Sequence, residues 1–364
     1  MDVLSDAIAV MRTGRPHSSR TRLCAPWGIR FQPQEGAGFH VILQGSCWLI
    51  PARGEPVALN VGDVVFLPRE LGHGIADTPS RRLADVRLTY DDLPLGGEGL
   101  YLGADADDGS GTRTAGDGPG VRTAGDGSGV RTAGGGSGVR TAGGGSGVWG
   151  GRDGSGVRTE MLCGAYRLDH SRAHPLLTEL PDVVHLPARV GRHPALRAAI
   201  DLLGHELGAR PRPGGDAALS GLLDLLLLYI LRAYYEDQPD EVTAGWGAAL
   251  RDPAVAGALR AVHEDPARPW TVESLAAQAG LSRAAFARRF TAMVGSPPLG
   301  YLTWWRMTIA ARLLRDTDLP LRSVAERTGY TSEFAFARAF KREFTTAPGR
   351  YRAGSPAAQS SLTG

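Results

Sequence analysis

The sequence predicts an α+β protein: a small β-barrel or sandwich comes first, connecting helices follow, and the chain ends in an all-α domain with two helix-turn-helix motifs. Three observations lead to this fold class. Residues 38–67 alternate short apolar runs with turns, apolar residues fall at helical spacing from residue 194 onward, and residues 252–351 contain an internal duplication.

The predicted strands begin with GFHVIL and SCWLIP, which are joined by a turn at Gln44-Gly45. The run VVFLP ends at Pro68, and strand-like sequence resumes at residues 159–168. Short apolar runs separated by turns at this spacing are typical of a small barrel or sandwich. We therefore expect one β-rich domain to include both segments.

Between these two segments lies a glycine-rich array, at about residues 109–157, whose unit GVRTAGGGS occurs twice without change. Nonapeptide arrays of this kind occur in calcium-binding β-rolls, which need an aspartate and an apolar residue in each copy. Asp117, Asp126 and Asp153 serve only three copies, and valine is the main apolar residue. This composition favours a disordered loop inserted in the N-terminal domain over a secreted calcium-binding array.

These patterns give four predicted ranges. Residues 1–190 form the β-rich domain with its insertion, 191–245 a helical linker or dimerisation region, 246–352 the duplicated helical domain, and 353–364 a disordered tail. The leucine-rich helix predicted at 217–235 fits a buried core element or a dimerisation helix, and both descriptions hold if its two faces pack on different partners.

Charge and cysteine content indicate a cytoplasmic protein with a polyanionic partner. The chain has a net charge of +2, but residues 247–352 carry 16 Lys and Arg against 9 Asp and Glu. A basic segment on a mildly acidic body suggests a module that binds nucleic acid. Three cysteines, Cys24, Cys47 and Cys163, are no disulfide framework and fit a reducing compartment. The longest apolar run, LLDLLLLYIL, is about half of what a bilayer requires, so we expect no membrane partner.

The two halves of the duplication are SLAAQAGLSRAAFARRFTAMVGSPPLGY and SVAERTGYTSEFAFARAFKREFTTAPGRY. The first parts match at an offset of 49 residues and the later parts at 50, because one residue is added in the turn. Each half has a glycine suited to a tight turn, Gly280 or Gly329, and then a serine suited to cap the next helix, Ser282 or Ser332. Each half therefore predicts a helix-turn-helix motif.

A helix predicted at 297–316 connects the two motifs. About 20 residues at 1.5 Å each give a helix of roughly 30 Å, which is close to the roughly 34 Å of one DNA turn. Two second helices held at this separation would meet successive major-groove faces. One chain is thus expected to read two adjacent half-sites.

In this region the chain resembles the DNA-binding domain of the AraC/XylS transcriptional regulators. The resemblance covers residues 252–352 and rests on A-x3-G-L-S-x3-F-x-R-x-F in the first half, on A-E-x2-G-Y-x-S-x3-F-x-R-x-F-K in the second, and on the closing P-x2-Y-R. It implies a cytoplasmic bacterial regulator, rather than an enzyme, that binds double-stranded promoter DNA and works with RNA polymerase.

The resemblance also implies which residues touch DNA. Base contacts fall on the outer face of each second helix, at Ala284, Ala287, Arg288, Phe334, Ala335 and Arg338. Arg288 and Arg338 are the leading candidates, because an arginine can bond to guanine through two hydrogen bonds. Four further basic residues are expected to contact phosphates: Arg283, Arg289, Lys341 and Arg342.

The N-terminal domain resembles the cupin-like sensor barrels that such regulators carry. Gly62, Pro68 and His73 match the spacing of the second cupin motif, but Glu70 and Asp77 depart from it. The first motif is largely missing, since His40 lacks its second histidine and glutamate. The alternative function, a cupin-type metalloenzyme with an accessory helical domain, is disfavoured because a catalytic metal needs about three protein ligands.

Four residues on or beside the predicted strands are candidates for signal detection: His40, Cys47, His73 and Cys163. In one interpretation the cysteines are small buried apolar residues and the histidines are satisfied by hydrogen bonds. In others the four residues hold a structural Zn²⁺ ion, a thiol pair senses oxidants, or an organic effector binds there. Alternation along the strands does not decide between these, because a turn separates His40 from Cys47. A homodimer and a small-molecule or redox effector complete the expected partners.

Overall fold

The computed structural model describes residues 3–34, 36–69, 71–86, 97–102, 158–168, 173–208, 212–239 and 241–353. The predicted glycine-rich insertion at about 109–157 and the predicted tail at 353–364 fall outside the described residues, apart from Ala353. Two compact units make up the chain. We call Gly14–Arg167 with Asp182–Ile230 the sheet unit, and Met1–Thr13 with Leu168–Pro181 and Leu231–Gly364 the helical unit. The N-terminal helix thus groups with the C-terminal helices, which differs from the predicted domain ranges.

The sheet unit contains eleven strands among the described residues. They are β1 (His17–Cys24), β2 (Gly28–Phe31), β3 (Ala37–Gln44), β4 (Cys47–Pro51), β5 (Val57–Leu59), β6 (Val64–Leu67), β7 (His73–Ala76), β8 (Ala84–Val86), β9 (Gly97–Leu102), β10 (Arg158–Tyr166) and β11 (Val184–Leu186). One sheet has the order β11-β6-β3-β10-β1-β9, and the other has the order β5-β4-β7-β2-β8. The strands predicted on both sides of the insertion are therefore confirmed.

The predicted barrel is present as two sheets that share one apolar core. Leu23, Ile42 and Met161 of the six-stranded sheet pack with Leu49 and Ile75 of the other. Burial of these side chains from both sheets is the main favourable term that holds the sheets face to face.

The register of β10 against its neighbours is fixed by close packing. β10 pairs antiparallel with β3, and Cys163 lies opposite His40 while Gly164 lies opposite Phe39. A side chain at position 164 would overlap the Phe39 ring, so this strand position requires glycine. The same pairing brings together residues that are more than a hundred positions apart in the chain.

Two helices follow the strands, α3 (Pro194–Gly208) and α4 (Gly215–Glu236). Leu223, Leu226 and Leu227 of α4 are buried, and the Tyr166 hydroxyl donates a 2.8 Å hydrogen bond to the Leu223 carbonyl. Among the described helices, α4 alone has the length and composition of a membrane span, a test that the core helices of folded domains also pass. One face of α4 is therefore part of the apolar core, as one of the two interpretations from the sequence expected.

The helical unit starts with α1 (Val3–Met11) and the short α2 (Pro175–Thr178). The remaining described helices follow in order: α5 (Gly245–Arg251), α6 (Pro253–Glu264), α7 (Val272–Gln278), α8 (Arg283–Val294), α9 (Pro298–Asp316), α10 (Leu321–Arg327), α11 (Glu333–Phe344) and α12 (Pro348–Ala353). The pairs α7–α8 and α10–α11 confirm both helix-turn-helix motifs, and α9 is the predicted connector.

The turns and caps form as their residue types require. Gly280 and Gly329 have φ of +64° and +77°, a backbone region that favours glycine. The Ser282 hydroxyl accepts from the Ala285 amide at 3.3 Å, and the Ser332 hydroxyl accepts from the Ala335 amide at 3.4 Å. These bonds satisfy one free amide at the start of α8 and one at the start of α11.

A stability prediction follows from the ends of α8 and α11, which are equivalent in the duplication. Gly295 and Thr345 both cap a helix in the left-handed region, with φ of 77° and 58°. Left-handed strain in a non-glycine residue is about 1–2 kcal/mol and exceeds the roughly 0.4–1 kcal/mol of added chain entropy, so Thr345→Gly should raise the unfolding free energy by about 0.5–1 kcal/mol.

Denaturant titration of the full-length protein measures this difference. The matched change Gly295→Thr introduces the same strain into the other motif and should lower the unfolding free energy. If Thr345→Gly leaves the free energy unchanged or reduces it, the left-handed cap is not a source of strain.

Candidate DNA-binding surface and thiol–imidazole cluster

Helix α8 is anchored by one face, which leaves the opposite face exposed. Phe286 and Phe290 are buried, with ring centroids 5.6 Å apart, and they belong to the core of the first motif. Ala284 and Arg288 are exposed and Ala287 is half-buried. Because the phenylalanines lie four residues apart on one face, the alanines and the arginine project from the other side.

Helix α11 repeats this arrangement with a larger outer face. Phe336 and Phe340 are buried with ring centroids 5.8 Å apart, while Ala335 and Arg338 are exposed. Phe334 is 86% exposed, the largest aromatic exposure among the described residues. An aromatic ring contributes little to stability in this position, so its role is expected to depend on a partner.

The two leading arginines are available for ligands. Within the described part of the chain, the guanidinium groups of Arg288 and Arg338 have no hydrogen-bond or ion-pair partner. Lys341 is exposed as well. An exposed and unpaired guanidinium on a helix with small neighbours has the geometry that major-groove recognition requires.

The other predicted phosphate contacts have partners within the chain. Arg283 lies 2.9 Å from Glu273, and both side chains are exposed. The Nε of Arg289 lies 2.7 Å from Oδ2 of Asp252, whose other oxygen caps α6 by accepting from Ala254 and Val255. The structure therefore commits Arg289 to an ion pair with a buried carboxylate, whereas the surface pair of Arg283 is weak and exchangeable.

The connector α9 holds the two motifs apart. Its 19 residues span about 28 Å, which is near the roughly 34 Å of one turn of DNA. Tyr301 and Leu302 near its start and Ala310 and Leu314 near its end are buried. The helix is thus packed into both motifs and can transmit their separation.

In the sheet unit, three of the four candidate residues form a chain of side-chain contacts. His40 Nδ1 lies 3.1 Å from the Cys163 sulfur, and His40 Nε2 lies 2.7 Å from His73 Nε2. Burial lowers the pKa of His40 to about 3, and burial together with the neighbouring His40 lowers the pKa of His73 well below its ordinary value. Both imidazoles are therefore neutral at pH 7.

Neutral imidazoles in this chain allow a proton to move along it. If the Cys163 thiol donates to His40 Nδ1, then His40 Nε2 carries the proton and donates to His73. With the other tautomer of each ring, His73 Nε2 donates to His40 Nε2 and His40 Nδ1 donates to the Cys163 sulfur. Phe31 stacks on His73 with ring centroids 4.7 Å apart and limits the ring's rotation.

Cys47 behaves differently from Cys163. It is buried in the core between the sheets, and burial first, then the nearby Cys163 and Asp63, raises the pKa of its thiol to about 12. A thiol that stays protonated is a poor nucleophile and a poor metal ligand. Cys47 thus matches the description of a small buried apolar residue.

Comparison with known proteins places this architecture in a family. The family described as Cupin matches residues 2–236, and the family described as Helix-turn-helix domain matches residues 275–354. An AraC-like transcription regulator of Streptomyces lividans is 33% identical over 97% of this chain and 98% of its own length. The chain belongs to the AraC family of transcriptional regulators.

Other transcriptional regulators are similar over different lengths. The HTH-type transcriptional regulator AlkR of Acinetobacter baylyi is 27% identical over 97% of this chain and 99% of its own length. The transcriptional activator RclR of Escherichia coli is 37% identical over 53% of this chain and 68% of its own length. The protein is accordingly a DNA-binding transcriptional regulator and not an enzyme, as the sequence predicted.

The arrangement of the candidate side chains does not fit the structural Zn²⁺ site considered from the sequence. No group of three or more His, Cys, Asp or Glu side chains in the described residues could hold a metal ion. His40 uses one ring nitrogen toward Cys163 and the other toward His73, so the three side chains form a line instead of surrounding one point. A tetrahedral Cys–His zinc site needs four donors around a common centre.

A buried hydrogen-bonded chain in the helical unit was not predicted. His174 Nδ1 accepts from the Leu176 amide at 3.1 Å, so its Nε2 carries the proton and donates to the Tyr301 hydroxyl at 3.1 Å. Tyr301 in turn donates to His263 Nε2 at 2.7 Å, and His263 Nδ1 donates to Asp6 at 3.1 Å.

This chain links α1 to α6 and to the start of the connector α9 inside the helical unit. The duplication pairs Tyr301 with Tyr351, but the sequence gives no sign that only the first tyrosine has histidine partners. Burial raises the pKa of Tyr301 well above its ordinary value, so the phenol stays protonated and can act as a donor.

The buried histidines of the sheet unit predict a pH dependence. The unfolded chain binds protons at histidine near pH 6.5, whereas folded His40 resists protonation until about pH 3. The contribution of each such histidine to the unfolding free energy is therefore fully present above about pH 6.5. It is lost as the pH drops toward 3, by up to about 1.4 kcal/mol per pH unit.

Unfolding free energies measured between pH 7 and pH 4 test this expectation. His40→Gln should flatten the slope, and His205→Gln, which changes an exposed histidine of α3, should leave it unchanged. An identical slope in wild type and His40→Gln would show that His40 is not held neutral by the fold.

Proposed function

We propose that α8 and α11 read two adjacent major-groove half-sites, with Arg288 and Arg338 as the main base contacts. The observation that carries the proposal is that both guanidinium groups are exposed and unpaired at equivalent positions of the duplication. An arginine in this position can bond to O6 and N7 of guanine at once.

The remaining outer residues favour apolar base contacts. Ala284, Ala287 and Ala335 present methyl groups that fit against the methyl of thymine. Phe334 provides the largest apolar surface of the set, and its 86% exposure supports a base or sugar contact better than a core role. On this basis the second motif is the more selective one.

Phosphate contacts are assigned by exposure and charge. Lys341 and Arg342 lie a turn beyond Arg338, and Arg283 begins α8; all three are exposed and would position each helix on the DNA backbone. For Arg289, the ion pair with Asp252 favours a structural role over the phosphate contact expected from the sequence.

We propose that pairing of two chains uses the less buried face of α4. Leu222, Leu225 and Tyr229 follow helical spacing on that face, and Leu225 is 43% exposed. Leu202 of α3 is 56% exposed. A cytoplasmic homodimer that recruits RNA polymerase at its promoters completes this assignment.

We propose further that Cys163 is the signal-responsive residue of the sheet unit. Its supporting observation is the 3.1 Å contact between its half-buried sulfur and His40 Nδ1. As the sulfur attacks a hydroperoxide, the thiol proton passes along its hydrogen bond to His40 Nδ1 and on to the leaving oxygen, so no imidazolium has to persist in the buried site. The S–O bond then forms as the O–O bond breaks, and water or an alcohol leaves with the proton.

The base-contact proposal predicts distinct effects for two exposed basic residues. Arg338→Ala should cost about 1–3 kcal/mol on DNA selected by the full-length protein and should relax the preference at one base pair. Lys341→Ala should weaken binding to selected and random DNA equally and reduce the salt slope by about one.

Titrations on both DNAs over a range of salt concentrations separate the two roles. Equal losses on selected and random DNA for Arg338→Ala would mean that this arginine contacts only phosphate. Failure of the wild-type protein to discriminate between the two DNAs would remove the proposed half-site reading altogether.

The thiol proposal predicts selective modification by hydrogen peroxide. Sulfenic-acid trapping with peptide mass spectrometry should show Cys163 reacting first, and His40→Asn should slow it by about tenfold or more because the base is lost. DNA affinity should change on oxidation in the wild type and in Cys24→Ser, but not in Cys163→Ser.

Cys24 is the internal control, since it is also half-buried in the same sheet but has no imidazole partner among the described contacts. Equal reaction rates at Cys24 and Cys163, or an oxidation response that survives Cys163→Ser, would exclude the proposal.

A further inference from the structure

The two turn glycines of the duplication have different surroundings. A side chain added at Gly280, in the first motif, would meet nothing within 4 Å. One added at Gly329, in the second, would lie 2.6 Å from Nη2 of Arg306 and 2.7 Å from the Ala267 carbonyl oxygen. The second turn is therefore packed against other parts of the chain, while the first is open.

Arg306 of α9 makes this packing. Its Nε donates to the Pro266 carbonyl at 2.7 Å, and its Nη2 donates to the Arg268 carbonyl at 2.8 Å. The guanidinium also lies 6.0 Å from the ring of Tyr330, the residue after the turn glycine. The half-buried side chain of Arg306 thus lies against two segments of the chain: the loop before α7 and the turn before α11.

The loop that receives Arg306 is itself held in shape. The Trp270 indole donates to the Asp265 carbonyl at 2.8 Å, and the Arg268 amide donates to the Asp265 carboxylate at 3.0 Å. The Arg268 guanidinium stacks over the Trp270 ring at 4.2 Å. The loop that carries the carbonyl acceptors of Arg306 is thus held in one conformation by its own hydrogen bonds. The contact with Arg306 is rigid for this reason.

We propose that Arg306 is a positioning residue that sets the spacing between the two DNA half-sites. It does so by fixing the turn before α11 against the loop before α7, and it touches no DNA itself. The inference rests on the proposed function, in which α8 and α11 read adjacent half-sites. It adds a determinant of specificity that lies between the two reading helices.

Arg306 fixes a contact that the connector does not make by itself. The helix of about 28 Å sets the distance between the motifs, whereas the position of the Gly329 turn against the loop before α7 depends on the Arg306 side chain. The second motif keeps its own core of Met307, Leu314, Phe336 and Phe340 without Arg306. Loss of the Arg306 contacts should therefore allow α11 to change its orientation relative to α8 without unfolding the second motif.

DNA spacing is a sensitive measure of this orientation. One inserted base pair moves the second half-site by about 3.4 Å along the duplex and by roughly 35° around it. A stiffly coupled pair of helices meets only one spacing well. A loosely coupled pair loses affinity at that spacing but tolerates its neighbours.

The experiment uses the full-length protein and a duplex that it selects from random sequence, with zero, one or two base pairs added or removed between the half-sites. The ratio of affinities for the selected and altered spacings is measured for wild type, Arg306→Ala and Arg306→Lys. Arg306→Ala should lower this ratio by about 2- to 30-fold. Arg306→Lys should also lower it, because an ammonium cannot bond two carbonyls in the fixed fork of a guanidinium.

A matched glycine pair provides a second measurement that does not depend on Arg306 variants folding. Gly329→Ala and Gly280→Ala introduce similar left-handed strain, at φ of +77° and +64°, but only the first pushes against Arg306. Gly329→Ala should therefore lower the spacing ratio and Gly280→Ala should not.

The outcomes separate the inference from the proposal beneath it. If wild type discriminates between spacings and the Arg306 and Gly329 variants keep its ratio, Arg306 does not set the spacing while the half-site proposal stands. If these variants weaken every spacing equally, Arg306 acts only on stability and the inference fails. If wild type shows no spacing preference, both are overturned.

Discussion

The burial of two phenylalanines four residues apart is the constraint on which the DNA-binding surface depends. Phe286 with Phe290 and Phe336 with Phe340 commit one face of each second helix to its motif's core. Exposing such a pair would cost several kcal/mol, on the order of 1.5–3 for each ring, so the helices cannot rotate about their axes. The outward direction of Arg288 and Arg338 is a consequence of this burial, and so is the exposure of Phe334.

Local sequence signals predicted most of the fold because the forces behind them are local. Ser282 and Ser332 cap helices, Gly280 and Gly329 take positive φ, and the strands of 38–67 end at turns, and each of these needs only a few neighbouring residues. The meeting of His40 with Cys163 is different in kind. It depends on the register of β3 with β10 across 123 positions of chain, for which no short pattern codes.

Arginine roles show the same limit at the DNA-binding surface. From the sequence, Arg288 is expected to contact a base and Arg289 a phosphate, and no role is expected for Arg306. The structure leaves Arg288 exposed, turns Arg289 to a buried aspartate and turns Arg306 to backbone carbonyls. Because buried carboxylates and carbonyls need partners, an arginine's function is decided by which acceptors the tertiary fold places within its reach.

The duplicated motifs are therefore alike in fold but supported differently. Beside the first lies a buried hydrogen-bonded chain from Asp6 through His263 of α6 to Tyr301 of α9, and its turn at Gly280 is open. The second has no such histidine chain among its described contacts, and its turn is braced by Arg306. The N-terminal helix is hydrogen-bonded to α6 and, through His263, to the start of the connector, whereas the turn of the second motif is contacted by Arg306. The two motifs can thus be altered separately, because they depend on different supporting contacts.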